Sequence, residues 1–160
     1  MSDLPLIVTD PEVLRLPTVK VNPERDLATL DELVGNLFQV MAQRQGLGLS
    51  ANQIGSKLRV CVLAMAPDSP ICLVNPVLHK VKGSQTAEEG CLSLPGVIMR
   101  TRRPAEVVVV ALNQYLHLVK YRLRNLRAVT LCHELDHLDG KLIIDQEAAE
   151  KVWQVARRRR

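Results

Sequence analysis

The stretch C-H-E-L-D-H-L-D-G, Cys132 to Gly140, places two histidines four residues apart with a glutamate directly after the first. On an α-helix, residues i and i+4 share one face about a turn apart, so His133 and His137 are set to meet one metal ion while Glu134 stands beside its water. The stretch therefore predicts a helix, and the remainder of the fold has to bring this helix a third ligand. A catalytic tetrahedral site needs three protein ligands and one open position.

Downstream, the search for that ligand fails. Gly140 matches the glycine of the longer metzincin signature, but the position of its third histidine is Ile143. Glu147 and Glu150 lie in a charged stretch that reads as solvated helix surface. Upstream, E-E-G-C-L-S-L-P-G, Glu88 to Gly96, presents Cys91 in a turn-like setting between glycines. A thiolate is a strong ligand for zinc or ferrous iron, and a Cys91, His133, His137 set leaves one coordination position for water.

Together with G-L-G-L-S-A-N-Q, Gly46 to Gln53, these segments resemble, in order, the three motifs of the peptide deformylases, metalloenzymes that remove the formyl group from the N-terminal formyl-methionine of nascent polypeptides. The resemblance extends to D-P-E-V-L-R, Asp10 to Arg15, and covers the chain to about Asp145. It implies a hydrolase that releases formate, with Glu134 as general base and Gln53 and the backbone N–H of Leu92 as oxyanion donors. Leu126 and Val129 share a helix stripe with His133 and His137 and so offer the wall of a methionine pocket, which Leu47 and Ala87 complete by the resemblance; it also implies Leu47 and Gly90 as main-chain contacts for an extended peptide, with Gly48 beside the metal centre. Fe(II) is the expected ion, with Zn, Ni or Co as substitutes. Ser50 replaces the alanine more common in the first motif, a small-for-small change. The short C-terminal stretch implies a compact form of the family, as from a reduced genome or a phage, without the longer helix implied in ribosome docking.

At 160 residues and 17.8 kDa the chain reads as one catalytic domain over 1–160. Hydrophobic residues make up 47% but aromatics only 2%, so the core has to be built from Leu, Val, Ile and Ala. No apolar run approaches the roughly 20 residues of a membrane span, and there is no secretory leader, so a cytoplasmic monomer without membrane contact is expected, in the host cell if phage-encoded. Cys61, Cys72 and Cys132 read as packing residues; Cys132, next to His133, points about 100° away from it on a helix. The net charge of +4 resides in Arg157 to Arg160, a basic tail that reads as solvated, with phosphate of ribosomal RNA as the sharper alternative.

Apolar spacing at three and four from Asp26 to Gln45 (Leu27, Leu30, Leu33, Val34, Leu37, Val40, Met41) predicts an amphipathic helix ended by Gly46. Leu58 to Ala64 and Ile71 to Leu78 read as antiparallel strands, and Val107 to Ala111 with Tyr115 to Leu123 as a hairpin around Asn113 and Gln114. The Gly46 to Gln53 stretch reads as irregular backbone. The expected class is α+β: antiparallel strands wrapped around a central metal-binding helix, an N-terminal amphipathic helix and a short C-terminal helix. Arg103 and Asp136 form a candidate ion pair supporting the metal helix. Two rival readings stand beside this one: a metallohydrolase such as an aminopeptidase, and a non-catalytic module with a structural metal and an RNA-binding tail.

Overall fold

The computed structural model describes residues 3–66, 69–146 and 150–154. Among the described residues three α-helices, α1 (Pro11–Leu14), α2 (Pro23–Gln43) and α3 (Leu126–Leu138), are distributed among eight strands. These are β1 (Gly48–Ser50), β2 (Val60–Ala64), β3 (Pro70–Lys82), β4 (Gln85–Cys91), β5 (Leu94–Arg103), β6 (Glu106–Leu112), β7 (Leu118–Arg124) and β8 (Glu150–Gln154). All strand pairs are antiparallel and form two sheets, β1-β2-β3-β6-β7 and β4-β5-β8. This is the expected α+β class. No described helix is long and apolar enough to cross a membrane.

α2 begins where its sequence dictates. Asn22 caps it by accepting from the backbone N–H of Glu24 (2.9 Å) and Arg25 (3.3 Å), and Pro23 occupies the first turn, where a missing N–H costs nothing. Leu30, Val34, Leu37, Val40 and Met41 form its buried stripe, whereas Leu27, assigned by spacing to the same stripe, is 57% exposed near the start of the helix. The helix stops at Gln43, just short of Gly46, whose N–H donates to the Met41 carbonyl at 2.9 Å.

The five-stranded sheet is apolar on both faces because a helix covers each. Val60 and Val62 of β2 pack with Leu37 and Val40 of α2, and Cys61 and Leu63, one residue out of phase, pack with Leu131, Leu135 and Leu138 of α3. Cys61, Cys72 and Cys132 are all buried thiols, as their apolar neighbourhoods predict. The opposite face of α3 turns to the smaller sheet, which places this helix between the two.

Gly140 ends α3. Its φ of +74° and the bond from the Lys141 N–H to the Asp136 carbonyl (2.8 Å) close the helix with a left-handed cap. A Cβ there would lie 2.3 Å from the Arg15 carbonyl oxygen, so the glycine also admits the segment after α1.

Three expectations need correction. The short C-terminal helix is not found among the described residues: Ile143–Asp145 is a single 3-10 turn and Glu150–Gln154 is a strand paired with β5, Ile98 opposite Trp153. The sequence K-V-W-Q carries β-branched and aromatic residues, and the open edge of β5 supplies backbone partners that an isolated short helix would lack. Glu150 is therefore in a strand rather than on a helix surface, while Glu147 and the arginines of 157–160 lie outside the described residues. The stretch Gly46 to Gln53 is not irregular: Gly48–Ser50 pairs with β2 and Ala51–Ile54 forms a 3-10 turn.

Candidate metal centre

α3 presents His133, Glu134 and His137, all buried, toward the end of β4. Cys91 is the last residue of β4, just before the two-residue turn to β5. Its Sγ lies 3.2 Å from His137 Nε2, which lies 3.2 Å from His133 Nε2, and the three candidate ligand atoms all fall within 4.8 Å of one another. Three lone-pair-bearing atoms thus converge on one point from two elements 42 residues or more apart in sequence. Cys132, adjacent in the chain, is not part of this group.

The two imidazoles are shifted in opposite directions. Burial works to lower the His133 pKa, but hydrogen bonds to Cys91 and Glu89 outweigh it and hold the value up at about 10. His137 is driven down to about 3 by burial and by His133 beside it. The donor set, one thiol and two imidazoles, fits zinc or ferrous iron.

Sequence reading missed the group that orients His133. Glu89 Oε1 lies 2.9 Å from His133 Nδ1, which leaves Nε2 facing Cys91 and His137. Glu89 is only 5% exposed, and it accepts from Arg103 Nε at 2.7 Å, from Arg103 Nη2 at 2.9 Å and from the Thr101 hydroxyl. Burial alone would raise its pKa; these bonds, with the one to His133, bring it instead to about 2. Arg103 Nη1 donates to Asp136 Oδ2 at 2.6 Å, the ion pair expected from sequence, and Gln146 Nε2 donates to the same oxygen at 2.9 Å. Asn52 Nδ2 donates to the His137 carbonyl at 2.6 Å and holds the end of the helix to the 3-10 turn. A period-two reading of Glu88 to Cys91 would have found Glu89, since it shares a strand face with the ligand two residues on.

Glu134 is 3% exposed and its Oε2 has no hydrogen-bond partner. Burial raises its pKa to about 7, against the pull of His133 and Ser50. Its other oxygen packs on the backbone at Gly48, where a Cβ would stand 2.7 Å from Oε1. Gln53 is buried and locked: Oε1 accepts from the Ser50 N–H at 3.0 Å, and Nε2 donates to Ser93 Oγ at 3.1 Å and points to Cys91 Sγ at 3.7 Å.

A cavity of about 370 Å³ opens over this cluster. Leu47, Gly48, Gln53, Gly90, Cys91, Leu92, Leu126, Val129, His133 and Glu134 all line it, so most of the residues named from sequence meet here. His137 lies behind the wall at 1% exposure. Ala87 does not line the cavity: it sits on β4 opposite Thr101, two residues beyond Glu89 and farther from the turn. Strand rise sets it about two residues away from the cavity wall.

An α+β fold that gathers a thiol and two imidazoles beside a buried carboxylate, under an open cavity, defines a metal-site hydrolase by class. The pattern of the polypeptide deformylase family matches residues 4–153. A peptide deformylase of Acetivibrio thermocellus is 41% identical over 139 residues, covering 84% of this chain and 78% of that protein. The crystal structure of a peptide deformylase from Legionella pneumophila superposes with a TM-score of 0.84 at 34% identity, over 89% of this chain and 85% of that one. A Met-Ala-Ser-bound class I type b peptide deformylase from Acinetobacter baumannii also gives 0.84, at 26% identity, over 91% and 99%. The chain belongs to the polypeptide deformylase family, hydrolases that remove the N-terminal formyl group from nascent polypeptides.

Proposed function

We propose that residues 1–160 form one catalytic unit that hydrolyses the formamide of N-formyl-methionyl peptides with Cys91, His133 and His137 holding the metal, Fe(II) in the native enzyme and Zn, Ni or Co as substitutes. The observation that carries this reading is the convergence of the three ligand atoms within 4.8 Å, on the wall of a cavity that also exposes the Glu134 carboxylate. When bound, a divalent ion supplies Lewis acidity and lowers the pKa of water toward neutrality.

The chain's own residues perform the remaining tasks. Glu134, with one oxygen unpaired, takes the proton of the attacking water and returns it to the departing methionine nitrogen. Gln53 Nε2 and the Leu92 N–H donate to the oxygen that gains charge in the tetrahedral state; loss of one such donor typically costs about 10²- to 10³-fold in rate. Ser93 and Ser50 fix the Gln53 amide before substrate arrives. Glu89 keeps the His133 Nδ1 proton engaged, so that Nε2 remains a ligand.

β1 and β4 are each the edge strand of their sheet, and Gly48 and Gly90 on them both line the cavity. An extended peptide can therefore pair along these edges, close to Leu47 and Gly90, with its methionine side chain against Leu126 and Val129. The four free cysteines suit a reducing cytoplasm, and the enzyme acts as a monomer. Contact of the basic tail with ribosomal RNA belongs to the same proposal.

Formate release from formyl-Met-Ala-Ser, with metal analysis of the same sample, tests the reading. Glu134→Gln is expected to retain metal and lose turnover. Cleavage of Met-Ala without formate release from its formylated form would instead assign the site to an aminopeptidase. Unimpaired biological activity in the Glu134→Gln protein would favour a structural metal.

A further inference from the structure

A second cleft, of about 530 Å³, adjoins the first, and Leu47, Leu126 and Thr130 stand in the walls of both. Its far wall is basic. Arg122 and Arg124 come from the end of β7, and Arg127 from the first turn of α3. Glu106 on the neighbouring strand approaches both β7 arginines, with Arg122 Nε 3.5 Å from one oxygen and Arg124 Nε donating to the other at 2.5 Å. Arg127 has no ion-pair partner among the described residues, and no described acidic side chain lines the cleft. Two of the three cations therefore share one anion and the third has none among the described residues, which leaves a surplus of positive charge beside the candidate active site.

Peptide geometry links the two clefts. In an extended chain, side chains alternate between faces, and residues 1 and 3 point the same way about 6.5–7 Å apart. A methionine side chain in the first cavity directs the third side chain to the same side, over the shared rim of Leu47 and Leu126. From this we infer that the arginine-lined cleft receives the third residue of the substrate and selects an acidic side chain there. The inference rests on the deformylase reading of the site.

The exposed setting limits the effect. Arg122 and Arg124 are 63% and 62% exposed, so each charge contact contributes at most about a fivefold preference. With a surplus of two charges, kcat/KM for formyl-Met-Ala-Glu is expected to exceed that for formyl-Met-Ala-Lys by about tenfold at low salt, with formyl-Met-Ala-Ser between them. The ratio falls toward one in about 1 M salt, where the screening length shrinks to about 3 Å.

The experiment measures formate release from these three peptides at both salt concentrations, for the wild type, for Arg122→Glu and Arg127→Glu together, and for Arg127→Lys. Charge reversal is expected to invert the Glu-to-Lys ratio, whereas Arg127→Lys retains it. A merely structural role for the arginines would change all three peptides alike and leave the ratio fixed, which overturns the inference. Equal rates on the three peptides in the wild type overturn it while leaving the deformylase reading intact. No formate from any peptide removes both. Arginine-dependent inhibition by a short RNA, with the peptides turned over equally, would assign the cleft to a phosphate backbone and end the peptide proposal.

Discussion

Gly48→Ala tests whether the Glu134 carboxylate has to sit where the fold holds it. A methyl group at Gly48 would lie 2.7 Å from Glu134 Oε1, 2.9 Å from Cγ and 3.0 Å from Cδ. Ordinary van der Waals separation starts near 3.4 Å, so the carboxylate has to retreat by roughly 0.5–0.7 Å. Glu134 is buried at 3% exposure on α3, so the side chain has little room to make this movement without leaving its position beside the ligands. Misplacement of a reacting group by about 1 Å costs on the order of a hundredfold, so the expected loss in kcat is about 10- to 100-fold, or about 1.4–2.7 kcal/mol of activation free energy. The three atoms nearest the added methyl all belong to Glu134 and none to Cys91, His133 or His137, so metal content should remain stoichiometric. The assay is formate release under single-turnover conditions with metal analysis of the same preparation. A variant that retains kcat within twofold of wild type would show that the position of Glu134 is not limiting, and one that loses its metal would show that the site moves as a whole.

Other perturbations read different parts of the structure. Gly35→Ala, exposed on α2 with nothing within 4 Å of the added carbon, should stabilise the protein by about 0.5–1 kcal/mol in chemical denaturation; no gain would mean that α2 frays there. Glu89→Gln removes the charge behind His133 Nδ1 and should weaken metal affinity by about 10- to 100-fold in competition with a chelator, with unchanged affinity counting against the proposed orienting role. Burial pushes the Cys72 thiol up from 9.0 to about 12. The folded state therefore keeps a proton that the unfolded chain releases: the stabilisation is complete below pH 9, and it is lost at about 1.4 kcal/mol per pH unit as pH rises toward 12. Cys72→Ala should reduce the slope of stability against pH between 9 and 10.5 by that amount, and an identical slope would refute the assignment.

The sequence exposed those parts of the site whose logic is local. His133 and His137 are legible because one helical turn brings them together without help, and Gly46 because a helix with that apolar stripe has to end there. The smaller sheet is different. Gln85–Cys91 reads Q-T-A-E-E-G-C and contains few β-formers, and its strand state comes from pairing with β5, which itself carries a proline and a glycine. β8 escaped notice for the same reason, since its partner β5 lies about fifty residues earlier in the chain.

Glu89 shows what this costs a functional reading. In the sequence it is half of an acidic pair that looks solvated, and Glu88 beside it is indeed exposed. Its burial is tolerable only because Arg103 and Thr101 arrive from β5 and His133 from α3, at sequence separations of 14, 12 and 44. The β4-β5 hairpin therefore does two things: it ends in the Cys91 ligand, and two residues earlier it supplies the carboxylate that aims the His133 ligand. A ligand and the group that orients another ligand are carried on one strand face, so any shift in register between β4 and β5 disturbs both together. Cys91 pairs with Leu94 just after a register shift at Gly90. An insertion in the turn should therefore abolish metal binding even with all three ligands and Glu134 still in the chain.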